Sequence, residues 1–312
     1  MGAASTRTPA LVAGFVLIAV VRGPLAQAQG PGLWNLAPRL DAGVPGRPPI
    51  QVQVEGSHTF GGRTDYRGLD GSRSEAWTSG LGFFAPVPLS ESWIVPLGLG
   101  SQNVWLEEVP GMPIPERINT LSFTTGLGHR WNDEWMVMGM FNTLLYRVDG
   151  VGRRDVGFAG GLNALWQARP TLAFRFGFMV APDSDLPVLP LVGVDWRFQE
   201  QWELRLMLPQ PRLIYQPAER WRLHVGASLV DTLFRTTEGL GDALDNPEYR
   251  GALGTYRDIR VGGGVGYQWG SAVSVEFEAG YSVSRRLEYP QLDERVSFAP
   301  APYVRLALRL GF

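Results

Sequence analysis

The sequence predicts an all-β fold, a closed antiparallel up-and-down transmembrane β-barrel of fourteen strands. Three observations predict it. From Ile50 onward apolar and polar residues alternate with a period of two, the signature of strands with one face in each of two environments. The connections between these segments alternate between tight and long, as in barrels that cross a membrane. No apolar run after residue 28 compares with Ala10 to Val21, so a membrane span in the mature chain must be strand and not helix. Composition agrees, with 39 Gly, 24 Pro and 11% aromatic residues. Cysteine is absent, so a closed ladder of strand-to-strand hydrogen bonds must supply the stability that disulfides would otherwise add.

The N-terminal region reads as an address. Arg7 precedes the apolar run Ala10 to Val21, Gly23-Pro24 ends it, and Ala26-Gln27-Ala28 is a small-x-small cleavage site. Residues 1–28 are therefore expected to be a secretory signal peptide, its apolar run falling short of the roughly 18 residues of a spanning helix. Without Arg7 and Arg22 the chain carries 26 basic against 30 acidic residues, which gives no nucleic-acid footprint. Residues 29–49 are rich in Gly and Pro without periodicity and read as an irregular leader or a plug. Residues 50–312 read as the barrel.

Taken in order, the strands are separated by recognisable breaks. Strand 50–60 is followed by a polar loop at 61–73 and strand 74–88. Ser90-Glu91-Ser92 turns the chain into 93–106, and a loop at 107–116 leads to 117–131. Asn132-Asp133 opens 134–148, a loop at 149–153 precedes 154–168, and Arg169-Pro170 turns into 171–181. After a loop at 182–186 comes 187–199, with Glu200-Gln201 turning into 202–208. Seven residues at about 3.3 Å each, tilted by about 45°, cross only roughly 16 Å. Pro209-Gln210-Pro211 is therefore read as a low turn joining 202–208 to 211–217. A twelve-strand barrel with this hairpin outside the wall is the alternative. Ala218-Glu219 leads to 220–235, the loop 236–253 to 254–269, Gly270-Ser271 to 272–287, and the loop 288–297 to 298–312.

Tryptophan follows the same pattern. Trp93, Trp131, Trp135, Trp166, Trp196, Trp202, Trp221 and Trp269 all lie beside tight turns, where they would form a periplasmic aromatic girdle. Phe60, Tyr146, Phe234 and Tyr256, at the loop ends, would form the outer girdle.

Strand parity sorts lipid from lumen. Leu172, Phe174, Phe176, Phe178 and Val180 share one face of their strand, and Val273, Val275, Phe277, Ala279, Tyr281 and Val283 one face of theirs. The opposite parity carries Arg175, Asp195, Arg197, Glu203, Arg205 and Arg212, then Arg220, Arg222, Arg260, Glu276, Glu278, Arg305 and Arg309. An Arg on the lipid side would cost roughly 2 to 4 kcal/mol at the bilayer midplane, which explains the sorting. Fourteen strands leave room inside, whereas about eight are filled by side chains. An arginine-rich lining then favours passage of anions or acidic solutes; alternatively, the charges pair across the lumen and fill it.

Residues 302–312 alternate Tyr303, Arg305, Ala307, Arg309 and Gly311 against Val304, Leu306, Leu308, Leu310 and Phe312. This segment resembles the closing strand of bacterial outer-membrane β-barrels. The resemblance implies an outer-membrane location, lipid around the wall, and recognition of Phe312 by the barrel-assembly machinery. Leu208 to Tyr215, with Glu219-Arg220-Trp221, resembles an outer-membrane barrel family catalogued as a domain of unknown function, which brings no substrate, cofactor or catalytic residue. Lipid-hydrolysing barrels are similar in architecture and use a His with a Ser two residues on. His58, His129 and His224 all lack that Ser, and His224 is expected among arginines that disfavour its protonated form. No cofactor is expected. Asp242, Asp245, Asn246 and Glu248 offer oxygens without the spacing of a calcium loop and read as a solvated acidic loop. Porin-like passage of small hydrophilic, anion-leaning solutes is the leading expectation, and a sealed structural or surface-interaction barrel the rival.

Overall fold

The computed structural model describes residues 50–147, 152–183 and 187–312. The expected signal peptide and leader lie outside these residues. Fifteen strand segments form one antiparallel sheet. They are β1 (Gln51–Tyr66), β2 (Leu69–Pro88), β3 (Trp93–Leu106), β4 (Arg117–Arg130), β5 (Trp135–Leu145), β6 (Val156–Arg169), β7 (Leu172–Val180) and β8 (Val188–Gln199). Then come β9 (Trp202–Leu206), β10 (Arg212–Ala218), β11 (Trp221–Arg235), β12 (Leu253–Trp269), β13 (Val273–Tyr289), β14 (Glu294–Phe298) and β15 (Ala301–Gly311). One short helix, α1 (Glu238–Ala243), lies between β11 and β12.

Each strand pairs with its neighbours in sequence, and β15 returns to β1 with Gln51 opposite Gly311 and Thr59 opposite Tyr303. The sheet is thus a closed ring. β14 and β15 both lie between β13 and β1, so they are two pieces of one wall strand interrupted at Ala299-Pro300. The wall therefore has fourteen strand positions. β9 pairs with β8 and β10 with β11, so the short hairpin is part of the wall and the twelve-strand alternative falls.

The alternation of the sequence becomes an alternation of environment. In β15, Leu306 is 56% exposed between Arg305 and Ala307, which are 9% and 3% exposed. The apolar outer face suits lipid, and burying it there carries the usual gain of roughly 25 cal/mol per Å². The turns joining β2–β3, β4–β5, β6–β7, β8–β9, β10–β11 and β12–β13 all lie at one end of the ring.

Besides β14, which takes up much of the loop expected at 288–297, two features differ from expectation. The loop expected at 61–73 is strand: β1 and β2 run on to a two-residue turn at Arg67-Gly68, whose φ values of 54° and 78° suit a tight hairpin. The hairpin's backbone groups find partners in each other and in β14, opposite Thr64 to Tyr66, so polar sequence there encodes a solvated ribbon and not a coil.

The second difference is at the loop end of β11 and β12. Successive residues of a wall strand should alternate between lipid and lumen, yet Leu233 and Phe234 are both buried, at 7% and 1% exposure. Leu233 packs with Met140, Met179 and Leu189 from the inner face of β5, β7 and β8. Phe234 packs with Val104, Ile118 and Tyr256. Both faces of this hairpin are therefore inside the barrel. Residues of β11 lie within 8 Å of β4 at Cα, although seven positions separate the two strands around the ring. The Arg235 amide donates to the Tyr146 carbonyl at 3.1 Å. The cause is the short β9–β10 hairpin: Val188 to Gly193 of β8 and Val230 to Arg235 of β11 have no ladder partner on the facing side. β8 tolerates such an edge through Pro190, which has no amide to satisfy.

Candidate functional site

The interior is organised around arginine; the chain contains no lysine. Arg212 on β10 reaches both oxygens of Glu276 on β13, at 3.1 and 3.2 Å, and Glu278 at 2.9 Å. Two strands separate β10 from β13, so these bonds cross the lumen side of the wall. Arg305 donates to Glu276 at 2.8 Å and to Glu55 on β1 at 2.6 and 3.2 Å. Gln53 links Glu55 to Arg309, with bonds of 3.0 Å on both sides. A second group stands nearer the loop end. Arg260 donates to Asp258 at 2.7 Å, Ser57 at 2.8 Å and Thr59 at 3.3 Å, and lies 5.0 Å over the Tyr303 ring. Tyr303 joins the groups by donating to Glu278 at 2.5 Å.

Planar guanidinium forks explain how few side chains hold so many carboxylates. Glu278 and Asp258, with side chains 5% and 0% exposed, must be met by fixed donors, since breaking a buried pair typically costs about 3 to 5 kcal/mol.

The sequence-expected residues fall into three places. Arg212, Glu276, Glu278, Arg260, Arg305 and Arg309 meet in the belt just described. Arg175 and Asp195 pair at 3.1 Å, Arg205 pairs with Glu203, and Arg197 is exposed beside them at the turn end. Arg222 lines a cavity of ≈ 40 Å³ with Glu276 and Arg309. A further cavity of ≈ 60 Å³ lies between Glu55, Arg305, Gln210 and Asp231, room for a few waters only.

Glu55, Asp258 and Tyr303 were legible from parity within their strands but belong to the site only through contacts between strands. Asp231 and Arg257 sit on the parity expected to face lipid. They pair at 3.0 Å, with side chains 1% and 3% exposed, because the inward lean of β11–β12 turns that face into the barrel. A charge on the lipid parity is the sequence signal of that departure. The same lean corrects the outer girdle: Phe60 is exposed, but Tyr146, Phe234 and Tyr256 are interior.

His224 also differs from expectation, since its Nε2 stands 3.1 Å from the Glu278 carboxylate and arginines are not its only charged neighbours. His224, Glu276 and Glu278 bring ligand atoms within 4.8 Å of one another. Arg212, Arg305 and Tyr303 already engage the two carboxylates, so the trio is part of the ion-pair belt. His58 contacts Glu75 at 3.5 Å and Trp77, while His129 packs on Trp93. In the loop after β11, Asp242 pairs with Arg250 at 2.6 Å and Asn246 accepts from the Glu248 amide at 3.0 Å.

At the turn end, Trp93, Trp131, Trp135, Trp196, Trp221 and Trp269 are 36 to 75% exposed. Trp135 stacks on Trp166 at 5.7 Å and Trp202 packs on Tyr215 at 4.6 Å. Phe312 is 65% exposed, and its amide and carbonyl both bond to Ile50, at 2.9 and 3.3 Å.

A family model described as a domain of unknown function, DUF6268, matches residues 90–310. The chain belongs to this family. No curated protein matches the sequence. Among solved structures, the toluene transporter TodX of Pseudomonas putida aligns over 93% of this chain and 95% of its own at 11% identity, with a TM-score of 0.42. The CymD monoaromatic hydrocarbon channel covers 93% and 94% at 9% identity, with a TM-score of 0.45. The KdgM porin in complex with disordered oligogalacturonate covers 83% and 99% at 8% identity, with a TM-score of 0.34.

Proposed function

We propose that this DUF6268 protein is a porin-like channel of the bacterial outer membrane for small hydrophilic solutes, with anions preferred. The observation that carries the reading is the charge of the interior. Arg175, Arg205, Arg212, Arg222, Arg260, Arg305 and Arg309 outnumber Glu55, Asp195, Glu203, Asp258, Glu276 and Glu278 even though most of them are paired. Cations meet a surplus of like charge there, and anions meet donors. The aromatic turn end is the periplasmic girdle and the alternating outer face meets lipid. Phe312 in the closing strand is the mark read by the assembly machinery, and residues 1–28 are removed on export.

The inward-leaning β11–β12 hairpin supports a channel that stands closed in this conformation, with the free edges of β8 and β11 as the seam along which the hairpin can swing. Single-channel recording in a planar bilayer tests the function, with selectivity taken from the reversal potential in a salt gradient. Stepwise, anion-leaning currents are expected. Substituting Arg197, Arg205 and Arg222 together by Glu should move the reversal potential toward cations, and an unmoved potential sinks the lining.

The rival, a sealed barrel acting through its 236–253 loop, draws support from the smallness of the interior cavities. Silence from protein shown to be folded and inserted would establish it over the channel.

A further inference from the structure

Arg285 is 2% exposed and forms no ion pair among the described residues. Its Nη2 donates to the Ser74 carbonyl at 2.6 Å and its guanidinium lies 4.5 Å over the Phe298 ring. Its Nε and Nη1 have no hydrogen-bond acceptor among the described residues. Directly across the ladder is Asp258, whose two oxygens are already taken by Arg260 and Ser282. On the same face of β12 the wholly buried Tyr256 hydroxyl lies close to the Arg285 guanidinium, and no hydrogen bond of full geometry engages it among the described residues. A buried cation left in this state is strongly disfavoured, and clustered unused donors in a low-dielectric interior call for an acceptor.

The backbone is shaped around this residue. β13 carries an extra residue at Val283, where Ser284 and Ser282 oppose the consecutive pair Ile259 and Arg260. That bulge reverses the parity of the strand: Val283 and Tyr281 face out, but Arg285, Leu287 and Tyr289 face in. Without it Arg285 would point to lipid. The two strands beyond break at the same level, β1 between Thr59 and Gly62 and the closing strand between Phe298 and Ala301. Gly62 has no room for a side chain there, because a Cβ would overlap the Ala299 carbonyl. Three neighbouring strands thus give up regular pairing around one guanidinium. Bulges of this kind are typical where a side chain is re-aimed for a function.

We propose that Arg285 and Tyr256 form a binding site for a small monovalent anion in the loop-end half of the barrel. The Arg285 Nε and Nη1 groups and the Tyr256 hydroxyl donate to it. The ligand is a monovalent acceptor that a positively charged three-donor corner can meet, a halide or the carboxylate of a solute. The site goes beyond the channel reading and does not require current to flow.

The test is thermal unfolding of the refolded full chain in detergent, titrated with sodium bromide against sodium methanesulfonate at constant ionic strength. A saturating rise in Tm, of about 3 °C at ten times the Kd, is expected for the natural sequence. Arg285→Met should abolish it. Equal bromide responses in both proteins, or none in either, would overturn the site. Should Arg285→Met fail to fold, Tyr256→Phe decides: half-saturation should move about tenfold higher in bromide, and an unchanged midpoint refutes the proposal. Acetate in place of bromide then separates the sources, since a solute site accepts the carboxylate and a halide site does not. A bromide-dependent Tm with electrically silent protein would leave the anion site standing and remove the channel.

Discussion

Glu278→Ala is the sharpest probe of the interior belt. The carboxylate accepts from Arg212 at 2.9 Å and Tyr303 at 2.5 Å and contacts His224 at 3.1 Å, with its side chain 5% exposed. Truncation leaves a phenol, an imidazole and part of a guanidinium in a site water barely reaches. Breaking a buried pair in this way costs about 3 to 5 kcal/mol. Glu276 remains to hold Arg212 and Arg305, which places the expected loss near the lower bound, about 3 kcal/mol. For a domain of this size that lowers Tm by about 6 to 12 °C. Tyr303→Phe alone should cost about 1 kcal/mol, and close to nothing in the Glu278→Ala background, where the hydroxyl has already lost its acceptor. Unfolding of the refolded barrel in detergent, by heat or by urea, reads both numbers. A loss below about 1 kcal/mol for Glu278→Ala would refute the argument that this carboxylate is desolvated and held by fixed donors.

Other predictions follow from the same geometry. Arg235→Ala should raise open probability in bilayer recordings, because the Arg235 side chain ties the leaning hairpin to the Arg154 carbonyl at 2.6 Å; unchanged gating would count against the hairpin as the moving part. Gly280→Ala should destabilise the barrel by about 2 kcal/mol, since a Cβ there overlaps the Val261 carbonyl, whereas Gly56→Ala, with 3.8 Å to its nearest neighbour, should be near neutral in the same unfolding assay. Deleting Phe312 should reduce the amount of heat-modifiable, membrane-assembled barrel in cell envelopes, and undiminished assembly would remove its role as a signal. Deleting residues 31–48 should raise conductance if that segment plugs the pore.

The wall was legible because a barrel strand has a strict period of two, and both ends of most strands are marked by Gly, Pro, Asn or Ser. That is why strand 93–106 and the hairpin turn at 200–201 are where the residue pattern puts them, and the turn expected at 218–219 falls one residue later. The belt was legible as a parity set and illegible as a network. Nothing in the spacing of Arg212, Glu276 and Arg305 shows that two strands between them bring their side chains together. The inward hairpin escaped because parity assumes that each strand stays in the wall; Asp231 and Arg257 violated that assumption in the sequence itself. Arg285 escaped for a smaller reason, a single extra residue at Val283 that exchanges the two faces of β13 from that point on.

The pairing of β1 with β15 joins residues some 250 positions apart. Every other wall strand finds a partner made moments before or after it, but β1 has one edge that must wait for nearly all of the barrel to be synthesised. Until then the sheet is a curved ribbon with two raw margins, a form that hydrocarbon does not tolerate and that invites pairing with other chains. The seam between Ile50 and Phe312 cannot exist until the chain's last strand does, and its hydrogen bonds are the ones that leave the sheet without an edge.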